Sequence, residues 1–346
     1  MTPEDAGTPD RLTIPGSVGA SDGPVPAGGA ASLGRSGVRV TALSFGGAAI
    51  GGLYTPVPAE RAAATVRRAL DRGVRYLDTA PHYGAGRAER RLGAVLAAEP
   101  PGSYVVSTKV GRRLVPSVPG EPPESDGFAD PPPLRRIWDW SGDGVRRSLE
   151  ESLERLGLDR IDVVYLHDPD EHEAEVYASA YPALAALRDE GVVGAIGVGM
   201  NQTAMPARFV RRLDLDVVLC AGRYTLLDRS AEQDLLPACL ERGVSVVVGG
   251  VYNSGLLADP RPGARYDYAP VPEPLLARAL RLGEVCAEYG VPLRAAALRF
   301  PLRHPAVASV LVGCRSPEEV DDNADLFGRP VPEALWDDPR LAAAAI

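Results

Sequence analysis

Lysine is almost absent from this sequence, and cysteine is scarce. Of the 37 lysine and arginine residues, only Lys109 is a lysine. The four cysteines stand far apart, at Cys220, Cys239, Cys286 and Cys314. Their separation does not match the ligand spacing of a zinc site, so we expect reduced thiols and no metal. No apolar run approaches the roughly 20 residues that cross a bilayer, which argues against a membrane partner.

Positive charge is also in deficit. The formal net charge of −9 argues against a nucleic-acid-binding surface. We therefore expect a small-molecule partner and a monomer or small homo-oligomer. The N-terminus has neither the basic segment nor the apolar segment of a signal peptide, which favours a cytoplasmic location. Residues 1–33 are rich in Gly, Pro, Ala and Ser and are predicted to be a disordered leader. A single domain is expected over residues 34–346.

The rest of the chain alternates short apolar runs with amphipathic segments. Eight runs are typical of buried strands: 40–47, 74–80, 103–110, 161–168, 192–199, 216–222, 244–250 and 307–313. Helices are predicted at 59–73, 142–157, 175–191, 231–243 and 317–328, several of which end in glycine. Continuous apolar strands that alternate with helices indicate a parallel sheet covered by helices. Eight such units favour a closed (β/α)8 barrel, the TIM-barrel fold.

Two irregular segments follow strands of the predicted barrel. The Pro-rich segment 114–133 follows the third strand, and segment 256–274 follows the seventh. Both lie on the C-terminal side of their strands, where barrels of this type build active sites. We therefore predict that both segments are lids or walls of a pocket.

Polar side chains end three consecutive predicted strands. Asp78 and Tyr83 follow the second strand, Lys109 ends the third, and His167 ends the fourth. These ends meet at one mouth of a barrel, where the set suits proton transfer to or from an oxygen whose carbon gains or loses a hydride. Tyr83 would be the acid or base, since a neighbouring Lys109 would lower its pKa. Asp78 would orient the lysine, and His167 would position the substrate oxygen.

Other interpretations of these residues remain open. Singly, Asp78 and His167 could cap turns, and Tyr83 could pack a loop. Lys109 could form the Schiff base of a barrel lyase or aldolase. A nucleotide-bound regulatory subunit with little turnover is a further alternative. The position of the sole lysine at the same mouth favours the hydride-transfer hypothesis over these.

Three segments carry a resemblance to the aldo-keto reductase family: LDTAPHYG (77–84), STKV (107–110) and LHD (166–168). The likeness spans about residues 37 to 328. It implies that Asp78, Tyr83, Lys109 and His167 form the family's catalytic tetrad, with Tyr83 as general acid/base. It also implies a nicotinamide cofactor that lies extended across the barrel mouth.

The same resemblance implies which residues bind the cofactor. GVGMNQ (197–202) places Asn201 at the carboxamide, and RYTLLD (223–228) contributes Tyr224, although Ala221 stands where the family usually has glutamine. GGVYNSGLLA (249–258) would bind the pyrophosphate through backbone amides. VGCRSPEEVDDN (312–323) resembles the adenosine-phosphate segment. The full set of implied cofactor contacts is Gly47, Asn201, Tyr224, Ser254, Gly255, Leu256, Gly313, Arg315, Ser316, Glu319 and Asn323.

Acidic residues in the last of these segments bear on the choice of cofactor. Glu319 and Asp322 would repel a 2′-phosphate, whereas Arg315 would attract one. An acidic residue near a ribose is the usual means of choosing NAD over NADP. NAD is therefore the expected cofactor, with NADP as the alternative.

The resemblance is closer to the sugar dehydrogenase branch of the family. It implies oxidation of the C1 hemiacetal hydroxyl of an aldose such as L-fucose to the lactone. The alternatives are NADPH-dependent reduction of aldehydes or ketones and oxidation of pyridoxal. Tyr54, Trp138, Trp140 and Tyr252 are candidate pocket walls. The tryptophan pair could stack on a sugar ring or anchor the 114–133 segment to the barrel.

Overall fold

A closed barrel of eight parallel strands forms the centre of the protein. The structure is a computed structural model that describes residues 29–120 and 124–346. The barrel strands are β3 (Leu43–Gly46), β4 (Tyr76–Asp78), β5 (Val105–Val110), β8 (Ile161–His167), β9 (Val193–Met200), β10 (Val217–Ala221), β11 (Ser245–Gly249) and β14 (Val307–Gly313). They are adjacent in this order, and β14 pairs with β3 to close the barrel. The predicted fold is confirmed.

A small antiparallel hairpin covers one end of the barrel. It pairs β1 (Ala30–Ser32) with β2 (Arg39–Thr41). Leu33 and Val40 of this hairpin pack into the barrel interior. Residues 1–28 of the predicted leader lie outside the described residues. The predicted boundary at 33 is nevertheless too late, because Ala30–Ser32 is an ordered strand.

Helices surround the barrel and bury its outer face. They are α1 (Ala59–Asp71), α2 (Arg87–Leu96), α3 (Gly142–Leu156), α4 (Glu173–Glu175), α5 (Tyr181–Asp189), α6 (Ala204–Arg212), α7 (Leu235–Arg242), α8 (Glu273–Glu288), α9 (Leu293–Arg299), α10 (Pro317–Gly328), α11 (Glu333–Trp336) and α12 (Pro339–Ala344). Short 3₁₀ turns lie at Ser230–Glu232 and Phe300–Arg303. Within the described ranges, no helix is long and apolar enough to cross a membrane.

The helix predicted over 175–191 is divided in the structure. Val176–Ala180 forms a π-helical turn, and α5 begins only at Tyr181. Pro182 follows at once and has no backbone N–H, so it suits a first helical turn. Helix α3, by contrast, has the predicted limits. The Ser141 hydroxyl accepts a hydrogen bond from the Gly144 amide, and Gly157 ends the helix at φ 65°.

Both irregular segments contain hairpins beside the C-terminal ends of the barrel strands. The first pairs β6 (Arg112–Pro116) with β7 (Leu134–Trp138), and the second pairs β12 (Arg265–Tyr266) with β13 (Ala269–Pro270). The loop of the first hairpin is held to the β3–α1 connection by two backbone hydrogen bonds, Tyr54 N to Gly127 O (2.8 Å) and Ala129 N to Gly52 O (2.9 Å). The hairpins therefore wall the predicted mouth.

Candidate active site

A buried ion pair lies at the C-terminal ends of β4 and β5. Lys109 Nζ lies 2.8 Å and 2.7 Å from the two carboxylate oxygens of Asp78, and it donates a third hydrogen bond to Thr79 O (2.8 Å). The two side chains are only 2% and 1% exposed. Ser107 adds a hydrogen bond to Asp78 Oδ1 (2.7 Å). Because three acceptors take the hydrogens of the ammonium group, the geometry does not favour Lys109 as a Schiff-base nucleophile.

Tyr83 lies directly beside this pair, in the turn that follows β4. Lys109 Nζ is 4.7 Å from the centre of the Tyr83 ring. Among the described residues, none hydrogen bonds to the Tyr83 hydroxyl group, which leaves it available to a substrate. The sequence prediction that Lys109 lowers the pKa of Tyr83 is not met. Burial raises that pKa well above its ordinary value, and Asp78 and Asp168 add to the rise.

The physical reason for this correction is the charge of Asp78. Its carboxylate lies within hydrogen-bond distance of the Lys109 ammonium group, so the lysine reaches Tyr83 as part of a neutralised pair rather than as a free cation. Arg112 lowers the pKa of Tyr83, but burial, Asp78 and Asp168 outweigh it. Tyr83 is therefore a protonated phenol at neutral pH, which suits a general acid.

His167 completes the predicted tetrad at the end of β8. Its ring lies edge-on to Tyr83, with ring centres 6.0 Å apart. Burial lowers the pKa of His167 well below its ordinary value, and the positive charges of Arg112 and Lys109 lower it further. Nδ1 is buried and has no hydrogen-bond partner in the described part of the chain. A neutral imidazole at this place can hydrogen bond to a substrate oxygen without competing for its proton.

Two residues to which the sequence analysis assigned no role in the site border the tetrad. His82 lies with its ring centre 5.7 Å from that of His167. Burial, Arg112 and Arg136 lower the pKa of His82 to about 2, so it is neutral. Phe128, from the loop of the β6–β7 hairpin, packs 5.5 Å from His82 and closes this side of the mouth. The position of His82 one residue before Tyr83 was the only sequence signal for its location.

The first hairpin also brings an unpredicted ion pair to the mouth. Arg112 Nη2 lies 2.7 Å from Asp168 Oδ2, and the same oxygen lies 3.5 Å from His167 Nε2. The Arg112 guanidinium group sits 4.5 Å from the centre of the Trp138 ring. This cluster adds one charge of each sign beside Tyr83 and His167.

The two tryptophans have different surroundings, although their rings stack with centres 5.8 Å apart. Trp140 is 4% exposed and packs on the backbone of Gly111, where a Cβ atom would collide with the indole ring. Trp138 is 49% exposed at the mouth. The structure thus favours an anchoring role for Trp140 and leaves only Trp138 open to a ligand.

The two tyrosines predicted to line the pocket also differ in their contacts. Tyr252 donates a hydrogen bond to Asn323 Oδ1 (2.7 Å), which ties it to the predicted cofactor segment. Tyr54 has a buried hydroxyl group without a partner among the described residues, and Arg265 lies 5.0 Å from its ring centre. Tyr268, in the turn of the β12–β13 hairpin, was not predicted. Tyr268 is 53% exposed, and its amide donates to Ser254 Oγ (3.1 Å), which places it beside the predicted cofactor segment.

Asn201 and Tyr224, the predicted contacts of the nicotinamide, differ in accessibility. Asn201 lies at the end of β9, where its carbonyl oxygen accepts a hydrogen bond from Arg223 Nε (2.7 Å) and its amide side chain stays uncommitted. Tyr224 is 3% exposed and packs against Phe300 and His304 in the shell between barrel and helices. The prediction for the Tyr224 side chain is therefore wrong, because the ring faces away from the mouth.

The predicted pyrophosphate segment is a tight turn after β11. The Gly255 amide donates to Tyr252 O (3.0 Å), and the Leu256 amide donates to Asn253 O (3.2 Å). These two amides are therefore occupied, contrary to the prediction that they bind the pyrophosphate. Ser254 has φ 59°, and its hydroxyl oxygen accepts a hydrogen bond from the Tyr268 amide (3.1 Å). Of Ser254, Gly255 and Leu256, Ser254 therefore remains a candidate contact of the cofactor.

The predicted adenosine-phosphate segment forms the N-terminus of α10. Ser316 Oγ accepts a hydrogen bond from the Glu319 amide (3.2 Å), and Glu319 Oε2 accepts one from the Arg315 amide (2.8 Å). This reciprocal arrangement resembles a capping box, except that Glu319 reaches the amide of the residue before the N-cap. Glu319 consequently has a structural role that the sequence analysis did not consider. Gly313 and Arg315 are exposed, and among the described residues Arg315 is bonded through its backbone amide alone, so its guanidinium group is available to an anion.

The remaining predicted contacts shape the backbone around the site. The Gly47 amide donates to Asp78 O (2.7 Å), and a Cβ atom at Gly47 would lie 2.8 Å from that oxygen. Glycine thus allows β3 to approach the strand that carries Asp78. Asn323 donates to Cys314 Sγ (3.4 Å) besides accepting from Tyr252. Asp322, which the sequence analysis placed near the cofactor, is paired with Arg294.

The sequence that forms this eight-stranded barrel matches a known enzyme family. The profile of the Aldo/keto reductase family matches residues 42–338. The chain belongs to the aldo/keto reductase family. A similar solved structure is an aldo-keto reductase from Bacillus halodurans in its holo form, with a TM-score of 0.73 and 26% identity; the match covers 92% of this chain and 96% of the other. This aldo/keto reductase is an oxidoreductase with a nicotinamide cofactor.

Two curated relatives are considerably more similar in sequence. D-threo-aldose 1-dehydrogenase from a Pseudomonas species is 45% identical, and the match covers 87% of this aldo/keto reductase and 93% of the relative. Pyridoxal 4-dehydrogenase from Microbacterium luteolum is 43% identical, and the match covers 88% of this chain and 94% of the relative. The resemblance read from the sequence is confirmed at the level of the family and of this branch.

Proposed function

We propose that this enzyme oxidises the C1 hemiacetal hydroxyl of an aldose such as L-fucose to the lactone, with NAD as the preferred hydride acceptor. The observation that carries the proposal is the uncommitted Tyr83 hydroxyl beside neutral His167 and the buried Asp78–Lys109 pair. The 45% identity to an aldose 1-dehydrogenase supports the sugar as substrate class.

In the proposed mechanism, Tyr83 and His167 both hydrogen bond to the C1 oxygen. Tyr83 accepts the hydroxyl proton while the C1 hydrogen leaves as hydride. His167 orients the oxygen and, being neutral, leaves the proton to Tyr83. The Asp78–Lys109 pair keeps a fixed positive pole 4.7 Å from the Tyr83 ring. In this direction Tyr83 starts as the phenolate and becomes the phenol, and the ammonium end of the pair partly offsets the cost that burial places on the phenolate.

The residues around the mouth fit a dinucleotide. The Arg315 side chain is exposed and has no hydrogen-bond partner among the described residues, and it suits a phosphate group because arginine favours anions. The side-chain amide of Asn201 has no hydrogen-bond partner among the described residues. Ser254 is predicted to contact the middle of the cofactor, between the parts bound by Asn201 and by α10. We propose that Asn201, Ser254, Gly313, Arg315 and Ser316 hold the cofactor. When bound, the nicotinamide supplies the acceptor for the hydride.

A second candidate function is oxidation of pyridoxal, which the 43% identity to a pyridoxal 4-dehydrogenase favours. The same proton transfer at Tyr83 would serve this substrate. Reduction of aldehydes or ketones with NADPH also uses the protonated Tyr83 as acid. The candidates differ in which substrate the mouth accepts, so a substrate panel separates them.

The test measures the absorbance of reduced nicotinamide. NAD and NADP are tested separately with L-fucose, D-arabinose, L-galactose and pyridoxal. The proposal predicts a signal with NAD and at least one sugar, together with formation of the lactone. No signal with any sugar, but consumption of NADPH with simple aldehydes, would replace the proposal with the reductase function.

The cofactor preference is expected to depend on the charge of Glu319. We expect Glu319→Arg to raise the ratio of NADP to NAD efficiency by about 10-fold, since an arginine near a 2′-phosphate gains a charge-assisted hydrogen bond. Glu319→Gln is the matched control, because glutamine can keep the capping box with the Arg315 amide while it removes the charge. Kinetic constants with both cofactors are compared for the three proteins. An unchanged ratio in Glu319→Arg would show that Glu319 serves only as a helix cap.

A further inference from the structure

The ion pair between Arg112 and Asp168 is the feature of the mouth that the proton-transfer mechanism does not use. The two side chains are 16% and 21% exposed, and they meet at 2.7 Å beside His167. The Nε atom of Arg112 is buried and has no partner in the described ranges of the chain. A charge pair that is neither fully exposed nor fully enclosed can offer a donor and an acceptor to a ligand.

The backbone at Asp168 is held in an unusual conformation. Its φ of 45° lies in the left-handed region, which side chains other than glycine, asparagine and aspartate rarely adopt. The Asp168 amide donates to Gly199 O (3.0 Å), which fixes this turn at the end of β8. The result places the carboxylate 3.5 Å from His167 Nε2. Strained residues of this kind concentrate at functional sites.

Trp138 adds an aromatic surface to the same place. The Arg112 guanidinium group lies 4.5 Å from its ring centre, and half of the tryptophan is exposed. A tryptophan has an apolar face with a negative quadrupole, which attracts the C–H faces of sugar rings as it attracts cations. The cluster thus joins a carboxylate, a guanidinium group and an indole ring within one wall.

We propose that Asp168, Arg112 and Trp138 form the part of the site that recognises vicinal hydroxyl groups on the substrate ring. This inference rests on the proposed function. In the proposed mechanism the C1 oxygen of the substrate lies at Tyr83 and His167. Asp168 Oδ2 lies only 3.5 Å from His167 Nε2, so hydroxyl groups on the neighbouring ring carbons come within its reach. Asp168 accepts hydrogen bonds from their hydroxyl groups, Arg112 donates to the hydroxyl oxygens, and Trp138 contacts the C–H face.

A purely structural role would be to clamp the β6–β7 hairpin to the barrel. The chain offers a matched control for that role. Arg113, the next residue of β6, pairs with Asp139 (3.4 Å) and Glu151 (2.5 Å), away from Asp168. Arg113 holds the same hairpin to the barrel through ion pairs of the same kind. Removing its charge therefore tests the structural role alone.

The experiment compares L-fucose with tetrahydropyran-2-ol, which keeps the C1 hemiacetal and lacks the other hydroxyl groups. The readout is the ratio of kcat/KM for the two substrates with NAD. We expect Asp168→Asn and Arg112→Gln each to lower this preference at least about 10-fold, because unpaired polar groups in a binding site penalise the substrate that was hydrogen bonded. Asparagine also tolerates the left-handed backbone, so Asp168→Asn changes the charge and not the turn.

The control variant and the wild-type enzyme show whether a change in preference comes from the recognition of hydroxyl groups. Arg113→Gln is expected to leave the preference unchanged. If it lowers the preference as much as Asp168→Asn does, or if neither mouth variant changes it, recognition of hydroxyl groups by this cluster is refuted. If the wild-type enzyme oxidises tetrahydropyran-2-ol as efficiently as the sugar, the inference fails while C1 oxidation stands. If it oxidises neither of these two nor any other sugar of the panel, the proposed function itself fails.

Discussion

Replacing Tyr83 with phenylalanine is expected to lower kcat for sugar oxidation by a factor of about 10² to 10⁴, the contribution typical of a positioned acid or base. The variant loses only a hydroxyl group that has no hydrogen-bond partner among the described residues, so the fold is expected to be unaffected. Cofactor affinity, measured by quenching of protein fluorescence, is expected to stay close to that of the wild type. Turnover near the wild-type rate would refute Tyr83 as the base.

The pH dependence provides an independent check on the same residue. Burial raises the pKa of Tyr83, so its base form is scarce at neutral pH and grows as the pH rises. Oxidation, which needs the base form, is therefore expected to accelerate through the alkaline range. Reduction needs the acid form and is expected to be steady over the same range until Tyr83 ionises. Because the pKa of His167 is lowered, this histidine adds no titration there. The alkaline rise is expected to vanish in Tyr83→Phe.

Replacing Lys109 with methionine is expected to abolish activity and to destabilise the fold. The change leaves the Asp78 carboxylate, which is 1% exposed, without its cation. Breaking a buried ion pair by removing one partner costs about 3–5 kcal/mol in the free energy of unfolding. Urea denaturation followed by circular dichroism measures this loss. A variant with wild-type stability would show that the pair is not buried as the structure has it.

The double variant Asp78→Asn/Lys109→Met separates stability from catalysis. Removing both charges relieves the uncompensated carboxylate, and an asparagine side chain can still accept the hydrogen bond from Ser107. We expect most of the lost stability to return. Activity is expected to stay absent, because the ammonium group 4.7 Å from the Tyr83 ring is lost. A double variant that is as active as the wild type would remove Lys109 from the mechanism.

The sequence predicted the barrel and the tetrad because both follow from local patterns. Each barrel strand is a short, nearly continuous apolar run, which is typical of parallel strands buried on both faces. Asp78, Lys109 and His167 stand at or near strand ends, and in a parallel barrel such ends meet at one mouth. The sole lysine in an arginine-rich chain marked the same place. All of these signals act within a few residues of one another.

The residues that were missed or misplaced depend on contacts between distant segments. Arg112 reaches Asp168, 56 positions away, only because the β6–β7 hairpin folds over the mouth. Tyr268 likewise arrives on a two-residue turn whose direction no periodicity predicts. Tyr224 faces away from the mouth because the outer shell provides Phe300 as its packing partner. The direction of the pKa shift of Tyr83 could not be predicted either, because it depends on burial and on the short distance between Asp78 and Lys109.

The most direct test of the central claim follows the hydrogen at C1. L-Fucose deuterated at C1 is incubated with the enzyme and NAD, and both products are analysed by mass spectrometry. The account predicts that the deuterium appears in the reduced nicotinamide and that the sugar product is the lactone without deuterium at C1. Reduced nicotinamide without deuterium, or a sugar product that retains deuterium at C1, would contradict hydride transfer from C1 at this site.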